Sequence, residues 1–246
     1  MKKLFATVLA LIMALSVAAV SFADTTTIVA ATNVAFPPYE YYEDGVEAGI
    51  DIDIVKAICA KLGWEVTFVD TEFGSIIAGV ATGKYDLGFG AITITEERSK
   101  SVHFTTSYAT GIQSIIVKED SSITSVDDLY ADGIVIGVQQ DTTGDIYATD
   151  DFGEDHMARF NKGADAVMAL VTGKISAVII DNSPAETFVA QNEGLKILPA
   201  AYAEEAYGFE ISYENEEFYA AFNGALEELL ADGTIQAIID QYITAE

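Results

Sequence analysis

The chain of 246 residues has one cysteine, two histidines, four prolines, and only twelve basic residues against 39 acidic ones. A single cysteine, Cys59, excludes an intramolecular disulfide, so stability must come from a packed core. Its place in the apolar stretch 54–59 makes it a buried small hydrophobe rather than a nucleophile. It also lies too far down the chain to carry an N-terminal lipid. His103 and His156 stand apart, in no metal-ligand spacing, and there is neither a phosphate-cradling glycine loop nor a G-x-S-x-G elbow. No catalytic residue, metal or cofactor is read from the motifs. The formal charge of −27 argues against nucleic acid and anionic lipid, which need basic patches, and the few bases here are scattered.

Half of the residues are hydrophobic and no tract is of low complexity, so the chain has the material for a sizeable core. Lys2 and Lys3 precede an apolar run from Leu4 to Val20 that ends in small residues at Ser21 and Ala23. This reads as a secretory signal over residues 1–23, cleaved after Ala23, because a membrane-spanning helix needs roughly 20 apolar residues and the run is shorter. The processed chain keeps ten bases and 39 acids, a formal charge of −29. It is expected to be exported and soluble: periplasmic, or extracellular where the host lacks an outer membrane.

Beyond the signal, apolar strand candidates at 28–32, 65–69, 87–89, 114–117, 134–138, 177–180 and 208–211 alternate with helix candidates after Asp53, Gly74, Thr95, Ser125, Thr142, Gly163, Ser183 and Asn215. That alternation predicts an α/β protein on mainly parallel sheets. Thr82-Gly83-Lys84 leads into the strand at 87, and 90 positions later Thr172-Gly173-Lys174 leads into the strand at 177. Duplication of one unit and coincidence both account for this echo.

Ligands of open α/β sheets sit beyond the carboxyl ends of the strands. There the chain places Asn33 to Tyr39, Gly90 to Thr93, Gln139 to Gly144 and Asp181 to Pro184. Arg98, one of two arginines, falls in the first turn expected after Thr95, where a cation opposes the helix dipole by roughly 0.3–1 kcal/mol. Pairing with Glu96 or Glu97 is one compensation; a bidentate grip on a ligand carboxylate is the other. Ser183-Pro184-Ala185-Glu186 fits a capping box, which would leave Asp181 either to stabilise the turn or to meet an ammonium group. Phe36 and Phe73 are aromatics that either flank a ligand or pack the core, and Thr143 belongs to a capped helix start.

Ala35-Phe36-Pro37-Pro38-Tyr39-Glu40-Tyr41, Gly49-Ile50-Asp51-Ile52-Asp53 and above all Tyr85 to Arg98 resemble the family 3 extracellular solute-binding proteins, amino-acid receptors of ABC importers. The resemblance implies a periplasmic binding protein-like α/β fold of two lobes, with a two-segment hinge and a ligand cleft between them. The lobes would be 24–110 with 207–246, and 111–206, crossing near 109–112 and 203–207. It further implies that Arg98, Thr93 and the Gly90/Ala91 backbone hold an amino acid's carboxylate with help from Thr143. Asp181 takes the ammonium, Phe36 and Phe73 sandwich the side chain, and Asn33 and Gln139 touch its tip. Asn33 stands where relatives that take cationic or amide side chains often carry an acid. A polar uncharged ligand such as glutamine is therefore expected first, with a basic amino acid or cystine as alternatives. The partners implied are a small amino acid and a membrane permease, the protein acting as a monomer that closes by hinge motion. An exported enzyme like cyclohexadienyl dehydratase, with His103 or His156 as acid or base, is the competing reading.

Overall fold

Residues 26–243 are described by a computed structural model, and the secretory signal expected over 1–23 lies outside them. Strand β1 (Thr27–Thr32) is buried at its carboxyl end, Ala30 to Thr32, where the cleft begins. After the Pro37-Pro38 turn come β2 (Tyr41–Glu43) and β3 (Val46–Ala48), a separate two-stranded hairpin. Helix α1 (Ile50–Leu62) buries Ile50, Ile52, Ile54, Val55, Ile58 and Cys59, and closes on Gly63, whose φ of 70° is the left-handed turn glycine tolerates. It carries the chain over to β4 (Glu65–Asp70), and α2 (Ile76–Ala81) then returns it to β5 (Leu87–Gly88). Both strands pair with β1 in parallel, which is why each needs a crossover. A short strand, β6 (His103–Phe104), ends this part of the chain.

The long strand β7 (Ala109–Lys118) leaves for a second sheet. There β8 (Ile136–Gln139), α3 (Thr143–Phe152), β9 (Met157–Phe160), α4 (Gly163–Val171), β10 (Ala177–Asp181), α5 (Asn182–Gln191) and β11 (Leu195–Ile197) follow in turn, with the strands ordered β11-β7-β10-β8-β9. Strand β12 (Ala203–Tyr207) runs back antiparallel along β7, Tyr207 opposite Ala109 and Ala203 opposite Gln113. It hands the chain to β13 (Glu210–Ile211), which completes a first sheet ordered β4-β1-β5-β13-β6. Helices α6 (Glu216–Ala231) and α7 (Thr234–Tyr242) then pack on α1. The result is two α/β lobes joined by a paired hinge, with the carboxyl ends of β1, β5, β8 and β10 facing the gap. Phe89, Phe209 and Phe222 are fully buried in the first lobe, each burial contributing about 1.5–3 kcal/mol.

Three local expectations need correction. The stretch after Thr95 is no α-helix but a single 3₁₀ turn, Arg98–Lys100, so Arg98 opposes no helix dipole. The stretch after Ser125 is likewise a 3₁₀ turn, Val126–Tyr130, and carries a genuine capping box of Ser125 with Asp128. Ser183 does not cap α5: the helix already begins at Asn182, whose amide bonds Glu186.

Candidate ligand-binding site

A cavity of about 330 Å³, its open side included, lies between the lobes. From the first lobe it is lined by Asn33, Phe36, Phe73, Gly90, Ala91, Thr93 and Arg98; from the second by Gln139, Thr143 and Asp181. All ten residues singled out in the sequence therefore share one cavity. His103 and His156 are elsewhere: His103 stacks on Tyr219 and bonds Glu216, and His156 closes a turn before β9. Glu40 and Thr142 also line the cavity. Glu40 stood in the motif after Pro38, but sequence alone does not tell that its strand bridge to Phe36 turns it inward.

The Arg98 side chain bonds two carbonyl oxygens, Nη1 to Thr93 at 2.9 Å on its own lobe and Nη2 to Asp141 at 3.1 Å on the other. Glu96 and Glu97 form no ion pair with it among the described residues. Both carbonyls are neutral and leave its charge without an ion-pair partner within 4 Å among the described residues, while Phe73 stacks over the guanidinium at 5.6 Å. Burial lowers its pKa, opposed chiefly by Glu210.

The loop before Arg98 is set by Asp51. This buried carboxylate accepts the Ala91 amide at 2.8 Å and the Tyr108 hydroxyl at 2.7 Å, which holds Ala91 at a φ of 47°, in the left-handed region. The expected use of the Ala91 backbone amide on a ligand carboxylate is thus corrected: that donor is already committed to Asp51. Thr93 offers a replacement. Around it Ile94 donates to Ala206 and Gly208 to Ile92, the wide pattern of an antiparallel bridge to Tyr207, so Thr93 N–H points out of the ladder. Its hydroxyl meets that of Thr143 at 3.2 Å across the gap.

Asp181 ends β10 as a buried carboxylate. Gln113 of β7 and Tyr207 of β12 each donate to one of its oxygens, so both hinge strands orient it. Burial, and next the nearby Glu205, raise its pKa to about 7 despite these bonds. Glu40, 1% exposed, is pushed up by burial and by Asp51. At the other end Asn33 spends its amide nitrogen on the Thr71 carbonyl, 2.8 Å, and turns its oxygen toward the second lobe, where Gln139 donates to it at 3.2 Å.

A cation from one lobe, an acid from the other and aromatic walls between two hinged α/β lobes make a clamp for a small dipolar molecule. The model of bacterial extracellular solute-binding proteins, family 3, matches residues 28–245. The chain belongs to that family. This family 3 protein is 32% identical over 216 residues to the ABC transporter arginine-binding protein 1 of Escherichia coli (strain K12), covering 85% of this chain and 88% of the relative. An ancestral arginine-binding protein bound to glutamine superposes with a TM-score of 0.83 at 35% identity, covering 89% of this chain and 98% of that one. An ancestral arginine-binding protein bound to arginine superposes with a TM-score of 0.82 at 36% identity, covering 88% of this chain and 98% of that one.

Proposed function

We propose that this solute-binding protein captures a free amino acid between its lobes and delivers it to an ABC transporter permease, acting as an exported monomer and not as an enzyme. Arg98 takes the ligand's carboxylate with the amide and hydroxyl of Thr93 and the Thr143 hydroxyl. Asp181 takes the ammonium, beside the Gly90 and Ala91 backbone, and Phe36 and Phe73 flank the side chain. Each lobe holds one charge, so only the closed state satisfies both, and that differential contact drives closure. The observation that carries the reading is the Arg98 guanidinium held by carbonyls alone in a cavity that Asp181 enters from the other lobe.

At the tip, Asn33 presents an acceptor to the cleft, which suits a side chain that donates. Glutamine and the basic amino acids both meet that requirement. Arginine is placed first among these, since an ancestral arginine-binding protein at 36% identity holds it in the same fold. The E. coli relative's name agrees with that order. A thermal-shift screen of the common amino acids with cystine and ornithine tests it: a ligand at 100 times its Kd adds about 2.7 kcal/mol. L-arginine is expected to give the largest shift. A screen in which no amino acid raises the Tm contradicts the proposal.

A further inference from the structure

Glu210 takes no part in the site just described, yet it sits directly behind it. It pairs with Gly88 across β13 and β5 and is 1% exposed. Both carboxyl oxygens are buried without a hydrogen-bond partner, an arrangement that costs about 1–3 kcal/mol for a polar atom. Space for the group exists because residue 88 is glycine: a Cβ there would stand 2.9 Å from Glu210 Oε2 and 2.8 Å from Ile76. Glu210 lines a second cavity, of about 560 Å³ with its open side, together with Phe73, Ile92, Arg98 and Asp141. Arg98 and Phe73 line both cavities. Arg98 therefore stands between the ligand cleft and a nook whose acids are Glu210 and Asp141.

The charged neighbours are few. Arg98 is the cation of the nook, and Asp141, bonded to it through its carbonyl and with its carboxylate against Gly74, is the second acid. Helix α2 and strand β5 bring apolar side chains and glycine only, and on β6 His103 is turned away to Glu216. Burial raises the Glu210 pKa to about 7, and Arg98 pulls against that rise.

We propose that Glu210 is a proton-exchanging counter-charge for Arg98, so that capture of a ligand carboxylate on one face of the guanidinium loads a proton onto Glu210 on the other. The inference rests on the reading that Arg98 binds the ligand carboxylate. An arriving carboxylate sets two anions beside one cation. The ligand's anion gains donors from Thr93 and Thr143, whereas Glu210 has none, so Glu210 is the group that neutralises. Near neutral pH, capture then takes a proton from solvent and tightens as the pH falls. Asp181 acts in the opposite sense, because an ammonium favours its ionised form, and Asp51 and Glu40 are raised as well. The contribution of Glu210 is thus the difference between the native protein and a Glu210 variant.

Two measurements decide the question. In the ligand-free protein, ¹³C NMR of the glutamate carboxyls, with the Glu210 signal assigned by Glu210→Gln, is expected to show Glu210 titrating near neutrality and moving to higher pH in Arg98→Gln. A Glu210 titration unmoved by Arg98→Gln overturns the inference whatever the ligand is. Calorimetry with L-arginine, in phosphate and in Tris from pH 8 to 6, then measures protons exchanged on binding. Proton uptake is expected to be larger in the native protein than in Glu210→Gln, and its Kd relative to the variant's to fall by up to about tenfold over that range. Glu210→Ala, which only enlarges the nook, is expected to repeat the result. Equal uptake and parallel pH profiles refute the role of Glu210 while leaving capture intact. Failure of L-arginine to bind the native protein instead counts against the proposed ligand, and the carboxyl titration still judges the coupling.

Discussion

Arg98 and Asp141 meet across the cleft, guanidinium to carbonyl oxygen, at 3.1 Å. Opening the lobes breaks that bond together with those joining Thr93 to Thr143 and Asn33 to Gln139. The residue proposed to grip the ligand is therefore also a latch between the lobes. Asp141 is placed for this by a φ of 65° and by its amide, which donates to Asp145, itself held by Arg159.

The Asp141 carboxylate lies against Gly74, where an added Cβ would overlap Oδ2. Gly74→Ala is expected to force Asp141 off its rotamer at about 0.5–1.5 kcal/mol and weaken ligand binding several-fold. Adding Asp141→Ala, which keeps the carbonyl for Arg98, should restore most of the loss. Isothermal titration of the three proteins checks this; equal affinities in native protein and Gly74→Ala contradict it.

Asp181→Asn keeps the size of the side chain and removes the charge offered to the ammonium. Affinity is expected to fall by about 2–5 kcal/mol, the range for truncating one partner of a buried charge pair. The folded protein should tolerate the change, because a buried acid raised to about 7 costs energy when ionised. Calorimetry with circular dichroism as a folding control separates the two effects, and unchanged affinity counts against Asp181 as the ammonium partner.

Asp51, Asp181 and Glu210 all have pKa values raised by burial to about 7, above the usual carboxylate range near 4. Folding then favours proton uptake, so their contribution to stability is full below about pH 4 and is lost as the pH rises through 7. The formal charge of −27 adds repulsion that also relaxes on acidification. The ligand-free Tm is expected to rise by several degrees from pH 8 to pH 5.5. Thermal melts followed by circular dichroism test this, and a Tm that falls over the range contradicts it.

The alternation of apolar and amphipathic segments carried most of this fold, because parallel strands buried on both faces have little else to show. The echo 90 positions apart is seen in both lobes: Gly83 and Gly173, at φ of 72° and 73°, each close a helix before a buried strand. The hairpin of β2 with β3, the short strands β6, β9 and β11, and α7 were not legible, being short or lacking flanking turn signals. In the site, the motif ending at Arg98 led to the cavity residues. Which donors are free was beyond it, since Ala91 is spent on an aspartate 40 positions away. Glu210 was equally hidden: its isolation depends on Gly88, a strand partner more than a hundred residues earlier in the chain.

In the proposed mode of capture, one guanidinium anchors the carboxylate of an amino acid whose ammonium is held from the opposite lobe. Calorimetric titration of L-arginine into the native protein and into Arg98→Ala isolates that anchor. The variant is expected to lose about 2–5 kcal/mol of binding free energy, since the ligand carboxylate is left desolvated and unpaired. An Arg98→Ala protein that binds L-arginine as tightly as the native chain would contradict it.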